Sequence, residues 1–234
     1  MLEAMELSKR YEDGILALNG LNLKVEPGEI FCLLGANGAG KTTTINLFLN
    51  FIEPTDGTAK INDIDVTKLP LEAKKYVSYL PEMVSLYSNF TSRQNLDFFA
   101  RLGGKKPSRT DLDGIMDRVG LPERSFSMRY KKLSKGQRQR LAIGILIAKD
   151  AQNLLLDEPT AGLDPRGAAD LCTLLTTLRD EGKAIFMSTH DIFRAKEVAD
   201  RVGIMKEGNL VMIRTKEDLI HEDLERIYLD YMRN

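Results

Sequence analysis

The strongest constraint on this chain is an unbroken apolar stretch that runs straight into small residues and a lysine. Ile30-Phe31-Cys32-Leu33-Leu34 carries no polar position, which suits a strand covered on both faces. Gly35-Ala36-Asn37-Gly38-Ala39-Gly40-Lys41-Thr42 follows directly, spaced as a phosphate-cradling loop is when it joins a strand to a helix. A helical pattern from about Lys41 to Asn50 supplies that helix, so the segment predicts half of a βαβ unit. Small side chains let successive N–H groups curl around a β-phosphate, and the helix start adds unpaired donors and partial positive charge. Lys41 is then placed to bridge β- and γ-phosphates, and the Thr42 hydroxyl to ligate magnesium.

Two further apolar runs, Leu154-Leu155-Leu156 and Ala184-Ile185-Phe186-Met187, are separated by helical patterns and end in polar residues. That alternation predicts an α/β core with a mainly parallel sheet, whose ligands bind at the carboxyl ends of the strands. Residues 1–28 read differently. Leu21, Leu23 and Val25 alternate with Asn22 and Lys24 before a Pro27-Gly28 turn, predicting an antiparallel β edge layer. From Met83 to Lys149 helical patterns dominate, broken near Gly103-Gly104-Lys105-Lys106-Pro107 and Leu121-Pro122, so an inserted helical subdomain is expected. The reading is one domain: an α/β core of 1–82 and 150–215, a helical subdomain of 83–149 and a C-terminal helix of 216–234. Within it, Glu207-Gly208-Asn209 predicts a hairpin.

Asp157 and Glu158 are adjacent carboxylates at the end of an apolar strand. Side chains alternate along a strand, so the two acids take different tasks. Asp157 is placed to hold a magnesium shell, and Glu158 to polarise a water attacking the γ-phosphate. Pro159 ends the strand. Further back, Ser134 and Gln137 have capping-box spacing, which predicts a second helix start with the character of an anion site.

Leu133-Ser134-Lys135-Gly136-Gln137 resembles the signature motif of the ATP-binding cassette family, which ordinarily has glycine where Lys135 stands. The resemblance implies a P-loop NTPase core of the cassette type and a head-to-tail homodimer formed with ATP. Ser134, Gly136 and Gln137 would then meet the nucleotide held by the other copy's Gly35, Asn37, Gly38, Ala39, Gly40, Lys41, Thr42 and Thr43. It further implies that Tyr11 stacks on adenine and that Ala161-Gly162-Leu163-Asp164 communicates across the dimer through Asp164. His190, after Ser188-Thr189, resembles the switch histidine that contacts the γ-phosphate beside the catalytic Glu158. Glu82 stands where the family usually has a glutamine that contacts magnesium. A carboxylate there still ligates the metal but repels triphosphate without it, so tight Mg2+ dependence is expected.

The run Tyr79-Leu80-Pro81-Glu82, Leu86-Tyr87, Thr91 and Gln94-Asn95-Leu96 resembles the exporter branch with small, separately encoded permeases, including drug and sodium efflux systems. The implied function is ATP hydrolysis that drives a separate membrane permease, with Leu86, Tyr87 and Phe90 as a groove for the permease's short helix. The alternative is a cassette ATPase of DNA repair, translation or cluster assembly. Repair forms carry a long coiled coil before the signature and translation forms usually fuse two cassettes; this chain shows neither pattern.

A formal charge of -1 and a pI near 6.2 provide no broad positive field, so no nucleic-acid partner is expected. The apolar run Leu141 to Ala148 is too short to cross a bilayer, and the amino-terminal residues lack the pattern of a secretory signal. The expected location is cytoplasmic, on the membrane face through the permease. Cys32 and Cys172 are expected to be buried, inert thiols, and His221 belongs to no motif.

Overall fold

The computed structural model describes residues 1–221 and 223–233. In chain order its strands and helices are β1 (Leu2–Arg10), β2 (Leu16–Val25), β3 (Ile30–Gly35), α1 (Lys41–Phe48), β4 (Asp56–Ile61), β5 (Ile64–Asp65), α2 (Pro70–Ala73), β6 (Val77–Leu80) and α3 (Ser92–Leu102). There follow α4 (Arg109–Arg118), α5 (Lys135–Lys149), β7 (Asn153–Asp157), α6 (Pro165–Asp180), β8 (Ala184–Thr189), α7 (Ile192–Val198), β9 (Arg201–Lys206), β10 (Asn209–Thr215), α8 (Asp218–His221) and α9 (Leu224–Arg233).

Two sheets result. The larger has six strands in the order β10-β9-β3-β8-β7-β6; β9, β3, β8, β7 and β6 run parallel and β10 closes one edge antiparallel. Its central strands read as continuous apolar runs because both faces are covered. Ile30, Cys32 and Leu34 join one core with Leu154, Leu156, Ile185 and Met187 beneath the later helices. Phe31 and Leu33 turn the other way, into a core with Leu155, Phe186, α1 and the smaller sheet. Phe186 stacks on Phe31 at 6.0 Å between ring centroids, and Phe48 of α1 approaches it at 6.2 Å.

The smaller sheet is antiparallel, in the order β2-β1-β4-β5. It therefore recruits residues 56–65 as well as the anticipated first 28. In β4, Ala59 and Ile61 are buried while Asp56 and Gly57 are exposed, the half-covered alternation of an edge layer. Helix α1 ends at Phe48, short of the expected Asn50, whose φ of 50° takes the chain out of the helix; asparagine tolerates that conformation.

Helices α3 and α4 pack on α5. Both begin with a capping box: Thr91 with Gln94 and Ser108 with Asp111. Each box satisfies two N–H groups that a helix start otherwise leaves open. At the far end, α9 lies against α7 and β9, placing Leu224, Ile227 and Tyr228 on the core. The backbone of His221 belongs to α8; its side chain is outside the described residues. No helix among the described residues is long and apolar enough to cross a membrane.

Candidate active site

The parallel topology brings the carboxyl ends of β3, β7 and β8 side by side, and the candidate site residues follow those ends. Between β3 and α1 the loop closes at Gly40, which caps the helix with φ 112°. A Cβ on Gly40 would fall 2.5 Å from the Ala17 carbonyl oxygen, so both backbone and space require glycine there. Behind it the first turn of α1 presents N–H groups that the helix itself cannot satisfy.

Lys41 is 6% exposed and donates to the carbonyl oxygens of Gly35 and Ala36 at 2.8 and 3.2 Å. Its Nζ also lies 3.6 Å from Glu158 Oε1. The Thr42 hydroxyl is 3.1 and 3.4 Å from the two Asp157 oxygens, and the Ser188 hydroxyl donates to Asp157 Oδ1 at 2.5 Å. Ala36, Asn37, Gly38, Gly40, Lys41, Thr42, Thr43, Glu82, Asp157 and Glu158 all line one cavity of about 150 Å³. Ala39, the remaining member of the loop, is buried, its N–H bonded to the Ala36 carbonyl.

Glu158 is the unusual member. Its backbone has φ 47°, held by hydrogen bonds from its N–H to the Ser188 carbonyl at 3.1 Å and the Ser188 hydroxyl at 3.3 Å. Oε2 lies 2.9 Å from His190 Nδ1 and accepts the His190 backbone N–H at 3.3 Å. Oε1 is buried without a hydrogen-bond partner among the described residues. A buried polar atom left so is costly, and this one borders the cavity where a water or a phosphate oxygen would arrive.

The residues fit a divalent ion. Thr42, Glu82 and Asp157 line the same cavity, and the Thr42 hydroxyl lies within hydrogen-bond reach of the Asp157 carboxylate. Mg2+ commonly takes one or two carboxylates plus substrate phosphates, and this hydroxyl–carboxylate pair matches that pattern.

Tyr11 lies beside α1, its hydroxyl 3.4 Å from Thr43 Oγ1, and is 37% exposed. The other sequence-predicted residues lie elsewhere. Ser134 caps α5 and completes a capping box with Gln137. Asp164 caps α6 by accepting the Gly167 N–H at 2.9 Å. Gly136 and Asp164 line a different cavity, of about 300 Å³. Ser134, Gly136, Gln137 and Asp164 are thus absent from the lining of the phosphate-loop cavity.

Tyr87 is 49% exposed, its ring packing on Phe90 and Phe98 at 5.0 and 4.9 Å, and Leu86 packs against the core. The double contact of Ser188, with the Asp157 carboxylate and the Glu158 N–H, lies outside the motifs read from the sequence. Ser188 carried a signal in the sequence as the polar end of an apolar strand.

The family model described as "ABC transporter" matches residues 18–161. Among curated proteins, the bacitracin transport ATP-binding protein of Enterococcus faecalis is 35% identical over 90% of this chain and 68% of its own length. The carnitine transport ATP-binding protein of Listeria monocytogenes is 31% identical over 99% of this chain, which spans 59% of that relative's length. Among solved structures, the dimeric structure of a bacterial ABC transporter cassette matches with a TM-score of 0.84 at 26% identity, covering 92% of this chain and 99% of that one. The same cassette, solved as a dimer in a post-hydrolysis state bound to ADP and Pi, matches with the same TM-score, identity and coverage.

Proposed function

We propose, from the premise that this chain belongs to the ABC transporter family, that two copies close around two MgATP, hydrolyse ATP and drive a separate membrane permease, in the direction of export. The reading treats the 234 residues as one working cassette, with 1–82 and 150–215 as its core, 83–149 as its helical arm and 216–234 as its terminal helix. The convergence of Lys41, Thr42, Asp157 and Glu158 on one cavity carries the proposal.

Lys41 and the N–H groups of the loop bind the phosphates, Tyr11 meets the adenine, and Thr42, Asp157 and Glu82 would hold Mg2+. Once bound, Mg2+ neutralises charge on the β- and γ-phosphates. Glu158 orients the attacking water through Oε1 and accepts its proton, while His190, held through Oε2, sits beside the γ-phosphate. Ser134, Gly136 and Gln137 at the tip of α5 meet the nucleotide of the other copy, beside its Asp164 loop. These residues lie apart from their own chain's phosphate cavity, which supports a shared site. The segment after Glu82, with Met83 and Tyr87 exposed, faces the permease and places the assembly at the cytoplasmic side of the membrane. Export is supported by relatives named for bacitracin and multidrug transport; the carnitine relative shows that cargo varies among similar chains.

Glu158→Gln tests the mechanism. General-base loss costs about 100- to 10,000-fold in rate, so steady-state phosphate release should fall by that much. Sedimentation in MgATP should meanwhile show dimers. A variant that hydrolyses at the wild-type rate, or that stays monomeric in MgATP, overturns the reading.

A further inference from the structure

Gln139 is a polar residue on the inner side of α5, and only 7% of its surface is exposed. Its Nε2 donates a hydrogen bond to the Pro159 carbonyl at 2.8 Å. Pro159 follows Glu158, whose left-handed backbone, φ 47°, persists only where its surroundings hold it. On one side Ser188 of β8 holds the Glu158 N–H. On the other, Gln139 holds the peptide that leaves the turn. The hydrolytic turn is therefore pinned between the parallel sheet and the helix whose tip is Ser134.

The same helix grips the rest of the loop. The Lys135 side chain lies across Gly162, so closely that a Cβ there would fall 1.7 Å from its Nζ. Leu163 packs within 3.9 Å of the Cβ position of Gly136. The tip of α5 therefore touches this loop at Gly162 and Leu163 as well as at Pro159.

We infer that Gln139 is a positioning residue for hydrolysis. Seating the tip of α5 on the other copy's nucleotide is transmitted through the Gln139–Pro159 hydrogen bond to Glu158, which serves the chain's own nucleotide. The inference rests on the shared-site dimer proposed above and adds a connection between its two sites. It requires a donor at Gln139, because a carbonyl only accepts.

The test uses the full chain with MgATP, comparing Gln139→Leu and Gln139→Glu with the wild type at each pH. Gln139→Leu should lower kcat about tenfold or more, equivalent to about 1.4 kcal/mol, with KM changed less than about twofold. Gln139→Glu should be equally slow at pH 8, where an ionised carboxylate cannot donate. Its rate relative to wild type should climb as pH falls, because the protonated carboxyl regains an O–H donor; Gln139→Leu should show no such recovery. Wild-type kcat in both variants, or equal losses at every pH, overturns the inference alone. A wild type with no ATPase activity overturns the proposed function and this inference with it.

Discussion

Glu158 has a buried carboxylate oxygen with no hydrogen-bond partner among the described residues and a left-handed backbone, each of which costs stability. The nearby charge of Lys41 and the bonds from Ser188 and His190 keep it in place. That concentration of cost on one residue separates it from Asp157, whose carboxylate is satisfied by Thr42 and Ser188. The cysteines are the opposite case. Burial pushes the Cys32 thiol up, and burial followed by the Glu197 charge pushes Cys172 up to about 11. The thiolate is the reactive form, and at pH 8 roughly one Cys172 thiol in a thousand is ionised. Both cysteines should therefore resist iodoacetamide in the native protein at pH 8 and react on unfolding, as mass spectrometry of the alkylated chain would show. Raising the pH should speed labelling of Cys172, since the thiolate fraction grows toward its pKa.

At the scale of the element, α5 carries two functions at its ends and sides. Ser134 and Gln137 satisfy each other's N–H groups at its start, while Leu141, Ile143 and Leu146 are buried further along. Removing the cap by Ser134→Ala should cost about 1 kcal/mol, measured as a shift in the urea midpoint at unchanged slope. ATPase activity should fall further than that loss explains, because the same hydroxyl faces the partner's nucleotide in the proposed dimer. Equal activity with reduced stability would confine Ser134 to capping. The spacing of Ser134 and Gln137 made this cap legible from residues alone. Pro159 was legible only as the end of a strand, and Gln139 as a polar residue within a helix. Their hydrogen bond joins residues separated by 20 positions and needs β7 and α5 to be packed before it exists.

For the whole molecule, the six-stranded sheet is the platform that holds the site, and its two covered faces supply the stability. Phe186 lies between Phe31 and Phe48 with no exposed surface. Phe186→Ala should destabilise the fold by about 3–5 kcal/mol, as urea unfolding would measure. A loss below 1 kcal/mol would mean that the stack does not support the sheet. Local order determined much of this protein before folding was considered. The apolar runs specified central strands, Gly35 to Thr42 specified a strand-to-helix phosphate loop, and Asp157-Glu158 specified acids at a strand end, because backbone sterics and side-chain alternation act over neighbouring residues. Tertiary structure alone decided the order β10-β9-β3-β8-β7-β6, the recruitment of β4 and β5 to the edge layer, and the packing of α9 on α7 and β9. Those outcomes depend on which apolar faces cover one another across long separations, and no short segment carries that information.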